Sequence, residues 1–192
     1  MLRLRRRTAQ AGAIALVVAA FTGPVATAEE PAEALRLTRP PRSEPAAAFS
    51  VPTPDGSVVT LAGLRGKVVL LNFWATWCEP CLEEMPAMER LARTYQERDL
   101  VVLALSVDRE GASVVGPFLK RHGLTFLVGL DPQQAVAHLY RVWALPSTFV
   151  LDRTGARLFL AQGARDWDGP AARAFFDALL KQDPRPPVTE DP

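Results

Sequence analysis

The sequence predicts an α/β domain with a mixed central sheet and helices on both faces. Three observations carry this. Val68–Phe73 and Leu100–Val107 are strand-forming runs with apolar residues on both faces, as in strands covered from both sides. Leu82, Met85, Met88, Leu91, Ala92 and Tyr95 recur between them at helical spacing, which makes the unit β-α-β. Near the carboxyl end, two short strand patterns flank a tight turn and lead into an amphipathic helix, which adds antiparallel strands to the sheet.

In chain order, Arg3, Arg5, Arg6 and Arg7 precede an apolar stretch from Ala11 to Phe21, and Ala26-Thr27-Ala28 has the small-x-small form of a cleavage site. Residues 1–28 thus have the layout of a secretory signal, cut after Ala28 or retained as an N-terminal anchor. The apolar stretch is shorter than the ~20 residues that span a bilayer, which favours cleavage. No cysteine lies near this end, so a lipid anchor on cysteine is excluded. Residues 29–48, rich in Ala and Pro, read as an extended linker. The ordered domain is expected over 49–182. Asp55-Gly56 marks a turn, and Ser57–Leu61 alternates as a hairpin partner would. The strand Val68–Phe73 follows, then a helix from about Cys78 to Gln96 with Pro86 inside it, predicting a kink. After Leu100–Val107 come a helix over Ser113–His122 with Pro117 in or near its first turn, a short strand at Thr125–Gly129, and a short helix opened by Asp131-Pro132 and running to Tyr140. The strands Ser147–Leu151 and Ala156–Gln162 flank Arg153–Gly155, Trp167–Lys181 forms the last helix, and residues 183–192, with four prolines, read as a disordered tail.

With 48% hydrophobic residues, the chain can bury one substantial core. A formal net charge of +1, with basic residues mostly spread among acids, leaves no footprint for nucleic acid. The chemistry concentrates in the only two cysteines, Cys78 and Cys81, which directly follow a strand and open a helix. The unpaired N–H groups and the dipole of a helix N-terminus favour a thiolate there, and a thiol three positions on can resolve the mixed disulfide it forms. A structural zinc site needs four ligands; no second Cys pair exists, and His122 and His138 lie far off in sequence. A purely structural disulfide closing so short a loop would constrain little chain entropy. Dithiol–disulfide exchange is the reading these residues favour.

The run Gly66-Lys67-Val68-Val69-Leu70-Leu71-Asn72-Phe73-Trp74-Ala75-Thr76-Trp77-Cys78-Glu79-Pro80-Cys81, then Glu83-Glu84-Met85-Pro86, then Leu145-Pro146-Ser147-Thr148-Phe149-Val150-Leu151-Asp152 resembles the thioredoxin superfamily, and within it the exported TlpA/ResA/CcmG branch of thiol–disulfide oxidoreductases. The likeness runs in order from about Phe49 to Lys181. It implies a thioredoxin-like three-layer fold with an N-terminal β-hairpin. Cys78 would be the nucleophile and Cys81 the resolving thiol. Pro146 would be a cis-proline facing the disulfide, Leu145 would offer backbone to a bound substrate chain, and Trp77, Glu79 and Pro80 would flank that chain. Two departures stand out. Asn72 occupies the place of thioredoxin's buried aspartate, which leaves Glu84 to accept the Cys81 proton, while Glu79 opposes ionisation of a nearby thiolate. Ala144 replaces a common glycine and follows the bulky Trp143, which reshapes the groove or simply packs.

The resemblance implies a periplasmic reductant of client disulfides. The clients would be a c-type apocytochrome or a protein of copper-centre assembly, and a DsbD/CcdA-type membrane protein would supply electrons. It implies no cofactor beyond the Cys78–Cys81 couple, and no metal. Two alternatives stay open. A Sco-like copper chaperone would use three residues between its cysteines and a distant histidine that His138 does not match. A peroxiredoxin-like peroxidase would need an arginine-supported pocket in register with its cysteine.

Overall fold

A computed structural model describes residues 28–42 and 44–182. The signal or anchor reading of 1–28, apart from Ala28, and the tail reading of 183–192 therefore lie outside the described residues. The elements are α1 (Glu29–Ala34), β1 (Ser50–Pro52), β2 (Val58–Thr60), a 3₁₀ turn (Ala62–Leu64), β3 (Val68–Trp74), α2 (Glu79–Tyr95), β4 (Leu100–Ser106), α3 (Ala112–His122), β5 (Leu127–Leu130), α4 (Ala135–Leu139), β6 (Ser147–Leu151), β7 (Arg157–Gln162) and α5 (Pro170–Lys181).

The main sheet has the order β5-β4-β3-β6-β7. Strands β3, β4 and β5 are parallel, with Val68 opposite Leu100 and Leu103 opposite Leu127. β6 runs antiparallel to β3, and β7 antiparallel to β6. β3 is central and buried at all seven positions, so its carboxyl end is a fixed point on which to mount a site. On one face, Trp74 meets Phe118 of α3, Phe159 meets Phe175 of α5, and Tyr95 of α2 meets Phe176. On the other, Phe73 and Phe149 pack on Tyr140, just after α4, and Phe49 closes over the same ring. The β1–β2 hairpin lies on this second face. It sits so close that a Cβ on Gly129 would fall 2.6 Å from Leu105 Cδ2 and 2.7 Å from Val51 Cγ2, so β5 needs glycine there.

Residues 29–48 are not the extended linker that their composition suggests. Glu29–Ala34 is a helix; Ala28, Ala32 and Leu35 are buried in the core cluster. Beyond it the chain pairs with β7 at Thr38–Leu160 and with the residue just before β7 at Pro45–Ala156, and Arg157 N–H donates to Glu44 O at 3.0 Å. An open strand edge offers unpaired N–H and C=O groups, and proline is tolerated at such an edge. The ordered unit therefore begins by Ala28, not at Phe49.

Smaller differences concern the ends of helices. The helix expected from Asp131-Pro132 starts only at Ala135, because the Asp131 carboxylate accepts the N–H groups of Val136 and Ala137 (3.2 and 2.8 Å). Pro117 falls early in the second turn of α3, near the first as expected. Trp167 precedes α5 instead of opening it, and its side chain is fully buried.

Candidate active site at the Cys78–Cys81 disulfide

β3 stops at Trp74, the chain turns, and α2 starts at Glu79 with Cys78 as the residue capping it. Cys78 is extended (φ −88°, ψ 99°), and its carbonyl accepts the N–H groups of Cys81 (3.0 Å) and Leu82 (3.2 Å). Pro80 sits in the first turn, where its missing N–H costs nothing. Asp108, at the end of β4 and 1% exposed, locks the turn. It accepts Thr76 N–H at 2.9 Å, the Thr76 hydroxyl at 2.6 Å and the Ser106 hydroxyl at 2.8 Å. Nothing in the sequence pattern separates Asp108 from an ordinary turn aspartate; its role appears only when β4 lies beside β3.

Cys78 and Cys81 form a disulfide. Cys81 has no exposed surface and Cys78 retains 6%, so Cys78 is the sulfur that an incoming group meets. The disulfide opens onto a groove of about 500 Å³. Trp77, Cys78, Glu79 and Pro80 form one bank, and Val142, Trp143, Ala144 and Leu145 the other. Trp77 and Trp143 are 69% and 86% exposed, unusual for indoles and available to cover a bound chain. The Leu145–Pro146 peptide is cis; Pro146 is buried and does not line the groove. Trp77, Glu79, Pro80 and Leu145 thus gather around Cys78 at the groove, whereas Cys81 and Glu84 do not line it. Among the described residues Glu79 is its one charged lining residue, and Glu83 is exposed.

Glu84 is 2% exposed on the inner face of α2. Its Oε1 accepts from Asn72 Nδ2 at 2.8 Å; its Oε2 accepts from Trp167 Nε1 at 2.9 Å and from Arg165 N–H at 3.1 Å. Burial outweighs these three donors and the Arg165 charge, and pushes the Glu84 carboxyl up to about 7. Glu84 also lines a cleft of about 380 Å³, distinct from the groove, together with Glu83, Arg90, Arg165 and Asp166 among others. The Arg165 guanidinium is itself held by the carbonyls of Leu35 (2.7 Å) and Ala164 (2.9 Å), so the segment after α1 braces the loop that holds Glu84. Trp167, and Thr148, which accepts from Asn72 Nδ2 at 2.9 Å, are residues that reading the sequence missed. A tryptophan in the polar stretch Arg165-Asp166-Trp167-Asp168 was the available signal, since a buried indole N–H needs an acceptor. Among the described residues, no group of three or more His, Cys, Asp or Glu side chains is placed to hold a metal ion.

Fold and site together define a thioredoxin-like protein with a dithiol–disulfide pair at a helix N-terminus. Residues 43–156 match the AhpC/TSA family, and the chain belongs to it. It is 39% identical over 107 residues to the thiol-disulfide oxidoreductase ResA of Bacillus thuringiensis (strain Al Hakam), covering 56% of this chain and 61% of the relative. To the ResA of Geobacillus thermodenitrificans (strain NG80-2) it is 43% identical over 101 residues, covering 53% and 58%. The chain thus spans about three-fifths of the length of these curated relatives. Among solved structures, a thiol:disulfide interchange protein of the thioredoxin family from Chlorobium tepidum TLS superposes with a TM-score of 0.62 at 28% identity, covering 73% of this chain and 99% of that one.

Proposed function

We propose that this protein is an extracytoplasmic thiol:disulfide oxidoreductase that reduces client disulfides. The observation that carries the reading is the Cys78–Cys81 pair at the N-terminus of α2, with Cys78 at the mouth of an open groove edged by the cis Leu145–Pro146 peptide. The names of the relatives support it, and the arginine-plus-apolar amino terminus supports export. The clients are c-type apocytochromes with oxidised haem-binding cysteines, or proteins of copper-centre assembly. A DsbD/CcdA-type membrane protein restores the dithiol.

In the reduced protein the Cys78 thiolate, favoured by the helix N-terminus, attacks one client sulfur. The client S–S bond breaks, its other sulfur leaves as thiolate and takes a proton, and Cys78 is joined to the client. Cys81 then loses its proton and attacks Cys78 Sγ, which frees the second client thiol and closes Cys78–Cys81. Two electrons and two protons pass to the client, and the cysteine pair is the whole redox couple, with no cofactor. Glu84, three residues past Cys81 on α2 and poised near neutral pH, takes the Cys81 proton. Trp77 and Trp143 cover the client chain, and Leu145 presents backbone to it.

Among the described residues no arginine lines the groove, which counts against peroxide reduction at Cys78. The two-residue spacing counts against copper delivery. The test is to mix pre-reduced protein with a peptide whose Cys-x-x-Cys-His cysteines are joined, and in parallel with hydrogen peroxide. Stoichiometric peptide reduction with little peroxide consumption is expected. Rapid peroxide consumption with an untouched peptide would overturn the reading.

A further inference from the structure

A buried glutamate that gains and loses a proton is two different hydrogen-bonding partners. As carboxylate it only accepts; as carboxylic acid it must also donate one O–H. The groups bonded to Glu84 are all donors in the arrangement seen. Arg165 N–H and Trp167 Nε1–H, both on Oε2, have no acceptor capacity. Oε2 therefore cannot carry the proton without losing its partners.

Oε1 faces a different kind of group. Asn72 Nδ2 donates to it at 2.8 Å and to Thr148 Oγ1 at 2.9 Å, while Asn72 Oδ1 is buried and, among the described residues, has no hydrogen-bond partner. A buried carbonyl oxygen left without a donor is uncommon and calls for a reason. The amide's two ends are nearly equal in size, so turning it over by about half a turn exchanges donor and acceptor with little change in packing. Oδ1 then accepts the Glu84 O–H and, on its second lone pair, the Thr148 hydroxyl, which rotates from acceptor to donor. Oδ1 becomes the partner that the protonated acid requires, and the amide N–H groups take the position in which Oδ1 had no partner, so the exchange follows the proton and not a gain in the amide's own pairing.

We propose that Asn72 is a positioning residue that follows the proton on Glu84: Nδ2 faces the carboxylate, Oδ1 faces the carboxylic acid, and the proton resides on Oε1. The inference rests on the reading that Glu84 exchanges a proton during turnover. The groups that can bias it are few. From α2 come the Cys81 thiol, Glu83 and Arg90, and from the loop between β7 and α5 come Arg165 and Asp166. β3 and β6 contribute only the uncharged Asn72 and Thr148. With Glu84 near 7, both arrangements are populated around neutral pH. The turnover of the amide also reaches the substrate side, since Thr148 is in the strand that begins directly after Pro146.

Asn72 is the only asparagine in the chain, so ¹⁵N-asparagine labelling of the full protein gives a single side-chain amide to observe. Its proton contacts would be followed by NMR from about pH 5 to about pH 9, alongside the Glu84 carboxyl carbon. The expected result is that the amide protons lie against Glu84 and Thr148 at high pH and leave both as Glu84 takes up its proton, with the same midpoint. If Glu84 titrates while the amide protons keep those contacts throughout, Asn72 is a fixed donor and the proposal is wrong. If Glu84 fails to titrate in that range, the proton-exchange reading falls and the proposal with it; disulfide exchange, measured on the same sample, remains a separate result.

Discussion

Replacing Glu84 by glutamine should make the protein more stable, and only above a defined pH. In the fold the Glu84 carboxyl is held at about 7, against 4.5 for a free glutamate, chiefly by burial. The native state therefore prefers the protonated acid. That preference contributes fully below about pH 4.5 and is lost as pH rises through about 7; above this the fold carries a buried carboxylate at a cost of about 3 kcal/mol. Glutamine stays neutral, accepts from Trp167 and Arg165 as the acid does, and with the Asn72 amide turned over donates to Asn72 Oδ1. Local rearrangement and water in the neighbouring cleft reduce the penalty, so a gain of about 1–3 kcal/mol is expected at pH 8 and almost none at pH 4.5. Urea unfolding of the oxidised protein across this range measures the difference without thiol titration. A Glu84→Gln offset that is the same at every pH, or a wild type that is the more stable at pH 8, would refute the reasoning.

Cys81→Ser should trap a mixed disulfide through Cys78 with a client peptide, detectable by mass, whereas Cys78→Ser should trap none, because Cys81 is sealed from solvent. Trp143→Ala should weaken handling of a polypeptide disulfide roughly tenfold in kcat/KM, the worth of one large aromatic contact, with reduction of a small aromatic disulfide little changed. Trp167→Phe keeps the ring but removes a donor from the Glu84 carboxylate. It should raise the Glu84 midpoint by about one pH unit, seen at the carboxyl carbon by NMR, with a stability loss larger at pH 8 than at pH 5.

Much of the fold was legible because its signals are local. β3, α2 and β4 lie within a residue or two of their expected ends, since continuous apolar runs and a helical repeat encode them directly. The cysteine pair was legible for the same reason: strand, turn and helix follow one another without a gap. What escaped depends on distant partners. Residues 29–48 carry the composition of a tether, and only the open edge of β7 and the surface of α5 turn them into a helix and an added edge. Trp167 reads as the first residue of an amphipathic helix, but an acceptor more than eighty positions earlier pulls it into the interior. Asp108 and Thr148 are likewise ordinary in sequence and become specific only when strands place them beside Thr76 and Asn72.

The equilibrium reduction potential of the Cys78–Cys81 couple, measured against glutathione and dithiothreitol buffers, tests the proposed direction of electron flow most directly. The account predicts a value near or below about −230 mV, toward the thioredoxin end of the range, as a reductant resupplied from a membrane donor requires. A value near about −120 mV, that of the strong oxidant DsbA, would contradict it and make this protein a donor of disulfides.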